Sequence, residues 1–234
     1  NAAMQDENNT LLSNLPASEL HTLTGSMRLV SLKKGQTLFR RGEVTRHVYF
    51  PVGAAISMMV DTEDGSTLET HMLGKTCLVG AAAVGQPSFY RAYVRMAGLA
   101  YQLDAETFES RRALCPTFQR NSHAALIRTL MQTSQTLVCS KLHSSEQQLI
   151  RWLLTALDRT VGDNLSITHR ELAEILGFRR EVVTVNLNQL VRQHALSLRR
   201  GVVQVLDRTL LETRSCDCYW VGLQRTRPLQ STDR

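Results

Sequence analysis

The sequence lacks any apolar run that approaches the roughly 20 residues of a membrane-spanning helix. No N-terminal charged region followed by an apolar one is present, so we predict no secretory signal and expect a cytoplasmic protein without a membrane partner. Residues 1–3 resemble the remnant of a cleaved expression tag and are left out of the interpretation. Since 43% of the 234 residues are hydrophobic, the chain can build one large or two moderate domains.

Motifs of catalysis are missing as well. The sequence has no glycine-rich phosphate-binding loop, no G-x-S-x-G nucleophile elbow and no H-E-x-x-H zinc motif. Its acidic and basic residues form no acid–base cluster. We therefore do not expect an enzyme.

The sequence has an odd number of cysteines, five, which argues against a disulfide framework. The five cysteines are Cys77, Cys115, Cys139, Cys216 and Cys218. One residue separates Cys216 from Cys218, where zinc and redox pairs usually have two, and no nearby Cys or His pair completes four ligands, so we predict no metal. We interpret Cys139 as a small buried apolar residue, with a thiol switch at Cys139 or at Cys216 and Cys218 as the alternative.

Lysine is absent from the C-terminal part of the chain. From Ser144 onward the basic residues are 13 arginines, against 10 acidic residues, and the whole chain has a net charge of +6. Arginine carries a permanent charge on a planar group that matches phosphate and guanine. This composition favours a polyanionic partner, although the charge excess is spread over the whole chain.

A winged helix-turn-helix is predicted between Thr168 and Val205. Thr168 and Glu171 have the spacing of a capping box, which predicts a helix start, and Gly177 suits the end of that short helix. A second helix follows, with apolar residues at helical spacing. These are Val183, Leu187, Leu190 and Val191. Two strand-like runs then flank a basic tip, Arg199-Arg200-Gly201, and indicate a wing.

The polar face of the second helix suits the major groove of double-stranded DNA. Arginine can bind guanine, asparagine adenine and glutamate cytosine, and an exposed apolar group can contact the thymine methyl. The predicted DNA-binding residues are Thr168, His169, Arg179, Arg180, Glu181, Thr184, Val185, Asn188, Arg199 and Arg200. In the alternative interpretation the chain is a ligand-binding module whose helix-turn-helix contacts protein or RNA.

The part of the chain ahead of this motif is predicted to be rich in β-structure. Short alternating runs between Met27 and Leu103, each ended by a turn residue, indicate a small antiparallel barrel or sandwich with short helices around Pro16 outside it. A helix is predicted to begin at Pro116 and to continue to about Lys141, because no Gly or Pro follows in this stretch. Its apolar residues have the spacing of a coiled-coil seam, which favours a dimerisation helix. The seam residues are Ile127, Leu130, Ser134 and Leu137. A third long helix is predicted from Ser144 to about Thr160.

The predicted fold is α+β with three parts in order. They are a β-barrel sensor domain with N-terminal helices at 1–115, a dimerisation helix at 116–143 and a winged helix-turn-helix domain at 144–234.

Several segments of the chain resemble segments of a known protein family and occur in the same order. They include Val30–Phe39, Val48–Pro51, Leu78–Gly80, Leu176–Arg180, Val205–Arg208 and Cys216–Tyr219. Through them the chain resembles the Crp/Fnr family of bacterial transcription regulators, in a subgroup that ends in Cys-x-Cys-Tyr. The resemblance implies a cyclic nucleotide-binding-like barrel, a homodimer on an inverted-repeat DNA operator, and RNA polymerase as a candidate partner. In this family an Arg-Glu pair and a later Arg read bases. Arg180 and Glu181 match the pair, and Val185 stands in place of the later Arg.

The effector pocket departs from the family pattern. In members that bind cyclic nucleotides a Gly-Glu pair holds the ribose and an Arg neutralises the phosphate, whereas this chain has Gly80-Ala81 and Tyr90-Arg91 at the corresponding positions. A buried phosphate without its charge partner would cost several kcal/mol. Arg91 is one position late and is expected on the other face of its strand. We therefore do not expect cAMP as the effector.

No cofactor is predicted. The iron–sulfur cluster of the Fnr branch needs cysteines ahead of the barrel, and this chain has none before Cys77. Haem stays open as an alternative, with His47, His71 and His123 as candidate ligands, although a lone histidine is far more often an ordinary surface or core residue.

Overall fold

The computed structural model describes residues 9–160 and 162–226, so the predicted tag remnant lies outside the described residues. The chain forms two compact units. The first contains the described residues up to Ile127 and a short stretch after Asp158, and the second contains Arg128–Asp158 and the residues from Gly162 onward.

The first unit begins with the two short helices that the leucine pattern predicts. They are α1 (Thr10–Ser13) and α2 (Ala17–Thr24). The Asn9 side chain accepts from the Leu11 backbone N–H at the start of α1 and donates to the carbonyls of Pro51 and Cys77. These bonds satisfy a fully buried amide and fix the N-terminal segment on the barrel.

Seven strands form the antiparallel barrel of the first unit. They are β1 (Arg28–Leu32), β2 (Thr37–Phe39), β3 (His47–Pro51), β4 (Ala55–Asp61), β5 (Thr67–Leu73), β6 (Arg91–Met96) and β7 (Gly98–Asp104). They pair in two sheets, β1-β7-β3 and β2-β6-β4-β5. Residues of both sheets, such as Tyr49, Ile56 and Val94, bury one common core. The predicted β-rich domain is therefore confirmed.

Two helices follow the barrel, α3 (Ala105–Arg112) and α4 (Pro116–Leu142). The second is the long helix that the sequence predicts, and it begins at the proline. The carboxylate of Glu19 accepts from the backbone N–H groups of Thr117 and Phe118 at 3.0 and 2.9 Å. A side chain from α2 thus caps the first turn of α4, which otherwise has unsatisfied donors.

The second unit continues with the predicted winged helix-turn-helix. Its elements are α5 (Ser145–Leu157), β8 (Asn164–Leu165), α6 (His169–Leu176), α7 (Arg180–Arg192), β9 (Leu196–Arg199), β10 (Val202–Val205), α8 (Arg208–Arg214) and α9 (Asp217–Thr226). The capping box of Thr168 and Glu171 is formed, and Gly177 ends α6 at φ 68°. The predicted helices and wing are confirmed, whereas β8, α8 and α9 were not predicted. Among the described residues, no helix is both long and apolar enough to cross a membrane.

One buried histidine gives the first unit a pH-dependent stability. His71 on β5 is 7% exposed, and the Tyr90 ring meets it edge-on with 5.4 Å between ring centroids. Burial, and to a lesser extent the positive charge of Arg159, lowers the pKa of His71 from 6.5 to about 4. The folded state therefore binds this proton less readily than the unfolded state. The contribution is fully present above pH 6.5 and is lost as the pH falls towards 4.

As the pH falls through that range, we expect protonation of His71 to lower the free energy of unfolding by up to about 1.4 kcal/mol for each pH unit. His71→Gln removes the titrating group, so the variant should lose stability less steeply with falling pH, whatever its stability at neutral pH. Urea unfolding of both proteins at closely spaced pH values measures the two slopes. Equal slopes would contradict the interpretation.

Candidate nucleic-acid interface

Helix α7 is held by the burial of one side. Val183, Leu187 and Leu190 are fully buried, and Val191 is half-buried. Asn186 is also buried, and its Nδ2 donates to Ser145 Oγ at 3.0 Å, so this polar group is satisfied at the contact with α5. These contacts fix the rotation of α7 about its own axis.

The opposite side of α7 is open to solvent. Arg180, Glu181 and Asn188 are exposed, and Val185 is 63% exposed. An exposed valine between charged and amide side chains has no role in the core of the second unit. The face therefore carries two hydrogen-bonding charged groups, one amide and one apolar group, which suffices to distinguish base pairs in a major groove.

Three of the predicted DNA-binding residues also serve the structure of the motif. The Thr168 hydroxyl accepts from the backbone N–H of Glu171 as the cap of α6. Thr184 Oγ1 donates to the Arg180 carbonyl at 2.9 Å and lies 3.0 Å from His169 Nδ1. Partial burial, then the charge of Arg180, lowers the pKa of His169, so this ring favours its neutral form. His169 and Thr184 thus join α6 to α7 beside the exposed face.

The wing adds a second basic surface. Its strands pair in the order β8-β10-β9, with Val202 opposite Arg199. Arg199 and Arg200 are exposed at the tip, and Gly201 takes φ 71°, a conformation that glycine adopts without strain. Arg179, just ahead of α7, is exposed as well.

In the barrel, Gly80 and Ala81 lie at a tight turn. Gly80 has φ 96°, and a Cβ added there would lie 2.8 Å from the His47 carbonyl oxygen, so the position requires glycine. Ala81 begins a short 3-10 turn, Ala81–Ala83, where the sequence pattern places the alanine that replaces a glutamate. His47 and His71 lie in strands, and His123 is exposed on α4.

Arg91 is bound to an acidic side chain. Its Nε and Nη2 donate to the two carboxylate oxygens of Asp61 at 2.8 and 2.7 Å, and these bonds lower the pKa of Asp61 to about 2. Along β6 the side chains of Ala92 and Val94 enter the barrel core, and by alternation Arg91 belongs to the opposite face. Tyr90, at the preceding position, packs against that core.

Helix α4 carries a row of exposed apolar side chains. Leu130, Leu137 and Ile127 are 65%, 62% and 55% exposed, and Ser134 between them is exposed as well. The neighbouring Leu126, Met131 and Val138 extend the row to a second stripe. The four predicted dimer residues therefore share one continuous apolar surface of α4.

Sequence reasoning missed one group of residues. Cys139, fully buried as expected, does not lie alone, because the structure brings it together with His143, Cys216 and Cys218. The prediction of no metal considered only residues near Cys216 along the chain, whereas the sulfur atom of Cys139 approaches it from 77 positions away. The available signal was the spacing of four between Cys139 and His143, which puts both on one face at the end of a helix.

Several solved structures share this fold. FixK2 from Bradyrhizobium japonicum is 16% identical, with a TM-score of 0.67, and the match covers 81% of this chain and 98% of that one. TTHA1359, a CRP/FNR-family regulator from Thermus thermophilus, is 20% identical, with a TM-score of 0.66 and coverage of 80% and 98%. The c-di-GMP-responsive regulator CLP from Xanthomonas campestris is 17% identical, with a TM-score of 0.64 and coverage of 82% and 100%. At these identities the matches show the fold.

Two family models match separate parts of the chain. The cyclic nucleotide-binding domain matches residues 29–113, and the Crp-like helix-turn-helix domain matches residues 147–214. No curated protein matches the sequence. With the barrel first and the helix-turn-helix second, the chain consists of a cyclic nucleotide-binding domain followed by a Crp-like helix-turn-helix domain, in the fold of the proteins described above.

Proposed function

We propose that the protein regulates transcription as a homodimer that binds an inverted-repeat DNA operator through α7 and the wing of each subunit. The observation that carries this proposal is the division of α7 into a buried apolar side and an exposed side with Arg180, Glu181, Val185 and Asn188. Such a helix can enter a major groove without giving up any core contact.

The exposed residues suit different tasks. Arg180 and Asn188 can form bidentate bonds with guanine and adenine, Glu181 can accept from cytosine, and Val185 can contact a thymine methyl. Arg199 and Arg200 at the wing tip suit the phosphate backbone, which sets affinity and register rather than sequence preference. Since Val185 stands where related regulators use an arginine, we expect a half-site that differs from that of the cAMP receptor protein.

The apolar surface of α4 supports the homodimer. Leucine and isoleucine side chains more than half exposed along several turns are costly in water, and a second copy of the same helix would cover them. A two-fold dimer would present two recognition helices about 34–36 Å apart, one turn of DNA, which accounts for an inverted-repeat site.

The effector of the barrel is proposed to be something other than cAMP. Ala81 cannot bind a ribose as glutamate does, and Arg91 is already paired with Asp61. A cyclic phosphate placed beside Tyr90 would therefore lack a cation. No cofactor is assigned to the barrel.

The first prediction for this function separates base reading from phosphate binding. After a half-site has been selected from random duplexes, Arg180→Ala should lose about 1–3 kcal/mol of discrimination at one guanine position. Arg200→Ala should weaken binding to all duplexes alike and reduce the slope of log affinity against log salt by about two for the dimer, about one for each subunit. Competition binding with single-base operator variants at several salt concentrations measures both effects.

Unchanged base preference in Arg180→Ala would remove this residue from the base-reading set. If the wild type bound all duplexes equally, or preferred RNA or protein, the alternative of a ligand-binding module without a specific DNA site would be favoured. Steep loss of duplex affinity with rising salt, together with sequence preference, supports the DNA-binding proposal.

The second prediction concerns the dimer. Leu137→Glu places a charge in the apolar surface of α4, so the protein should become monomeric at concentrations where the wild type is dimeric. Leu114→Glu is the matched control, because Leu114 is 72% exposed but lies ahead of α4. Analytical ultracentrifugation measures the mass. A wild-type monomer, or a dimer that Leu137→Glu leaves intact, would contradict the assignment.

The third prediction concerns cAMP. Isothermal titration calorimetry of the full chain with cAMP should show no binding in the micromolar range, because an unpaired buried phosphate is strongly disfavoured. Micromolar affinity would overturn this part of the proposal and leave the DNA-binding part untouched.

A further inference from the structure

Three thiols and one imidazole converge in the second unit. The group consists of Cys139, His143, Cys216 and Cys218, and it is called the Cys3His cluster below. The ligand atoms of its four side chains all lie within 4.8 Å of one another. The three cysteines are at most 3% exposed, and the histidine is half-buried.

Two of the distances between these atoms match one tetrahedral cation. For a zinc ion with about 2.3 Å to sulfur and about 2.05 Å to nitrogen, tetrahedral angles put two sulfurs about 3.8 Å apart and a sulfur about 3.6 Å from a nitrogen. The Cys139 and Cys216 sulfurs are 3.6 Å apart, and Cys218 Sγ lies 3.4 Å from His143 Nδ1. A disulfide would need about 2.05 Å between sulfurs, so these thiols are not bonded to each other.

The fold supplies the four donors from two helix ends. Cys139 lies in the last turn of α4, and His143, one turn later, donates its backbone N–H to the Cys139 carbonyl at 3.1 Å. Cys216 precedes α9 and Cys218 lies in its first turn. Two donors separated by four positions and two separated by two positions can thus share one centre.

The groups around the cluster suit a bound thiolate centre. Gln135 Nε2 donates to Cys218 Sγ at 2.9 Å, and the backbone N–H of Cys218 donates to Cys216. The guanidinium group of Arg151 acts electrostatically on Cys139. Three thiolates around a divalent cation carry one net negative charge, which this arginine offsets. Hydrogen bonds and charges of this kind orient metal ligands and tune their affinity.

We propose that the Cys3His cluster binds one zinc ion with four protein ligands and no open position. Soft thiolate donors select zinc over magnesium or calcium, and a closed tetrahedral set is typical of a structural site. On binding, the thiol protons are released to solvent and the metal ties the start of α9 to the end of α4. The site is independent of the DNA-binding proposal, and either can fail without the other.

The test measures metal in the full chain, freed of any affinity tag and purified under anaerobic, reducing conditions. Inductively coupled plasma mass spectrometry should find about one zinc per chain in the wild type. Cys218→Ser and His143→Gln should lose most of this zinc, and competition with a chelating dye should show at least about 100-fold weaker affinity. Zinc removal should lower the unfolding temperature of the wild type, and zinc addition should restore it.

Two control variants should keep the zinc. Cys77→Ser removes a half-buried thiol from the first unit, and Asp217→Asn neutralises the exposed carboxylate between the two cysteines of the motif. Circular dichroism checks that every variant is folded. If Cys218→Ser does not fold, Co2+ added to the zinc-free wild type gives the answer, because tetrahedral thiolate coordination produces intense visible and charge-transfer absorption.

Four results would overturn the proposal. They are a reduced wild type that binds neither zinc nor Co2+, zinc retained by both ligand variants, iron accompanied by acid-labile sulfide, and a disulfide among these cysteines in the anaerobically purified chain. Zinc loss from Cys77→Ser as well would also place the metal elsewhere.

Discussion

The burial of one side of α7 is the constraint on which the C-terminal unit depends. Val183, Leu187 and Leu190 form a stripe that fits only one rotation of the helix, and the bond from Asn186 to Ser145 fixes that rotation more narrowly than apolar contact can. Because the rotation is fixed, the same side chains of α7 always face solvent. Arg180 and Asn188 occupy their positions because of residues on the other side of the helix.

In the barrel, an ion pair holds Arg91 at the start of β6. The bidentate bond between Arg91 on β6 and Asp61 on β4 satisfies the charges of these two side chains, away from the core. Ala92 and Val94 leave only apolar groups on the inner face of that strand. This pairing engages Arg91, which is why we propose an effector other than cAMP for a barrel that matches the cyclic nucleotide-binding domain.

The sequence predicted those elements whose signals are local. Thr168, Glu171 and Gly177 mark the two ends of α6 by their own chemistry, and the leucine and valine spacing of α7 shows its buried side. Strand β8 has only two residues, too few for any alternation, and α9 begins at a short Cys-Asp-Cys segment that reads as a loop. The meeting of Cys139 with Cys216 depends on tertiary packing across 77 positions, so no local pattern could reveal it.

The wing tip and the leading end of α7 carry their positive charge on arginine alone, at positions 179, 180, 199 and 200. A guanidinium group stays charged at any pH a cell reaches, and it is not a substrate for the enzymes that acetylate lysine. Lysine acetylation therefore cannot lower any affinity that this surface has for a polyanion.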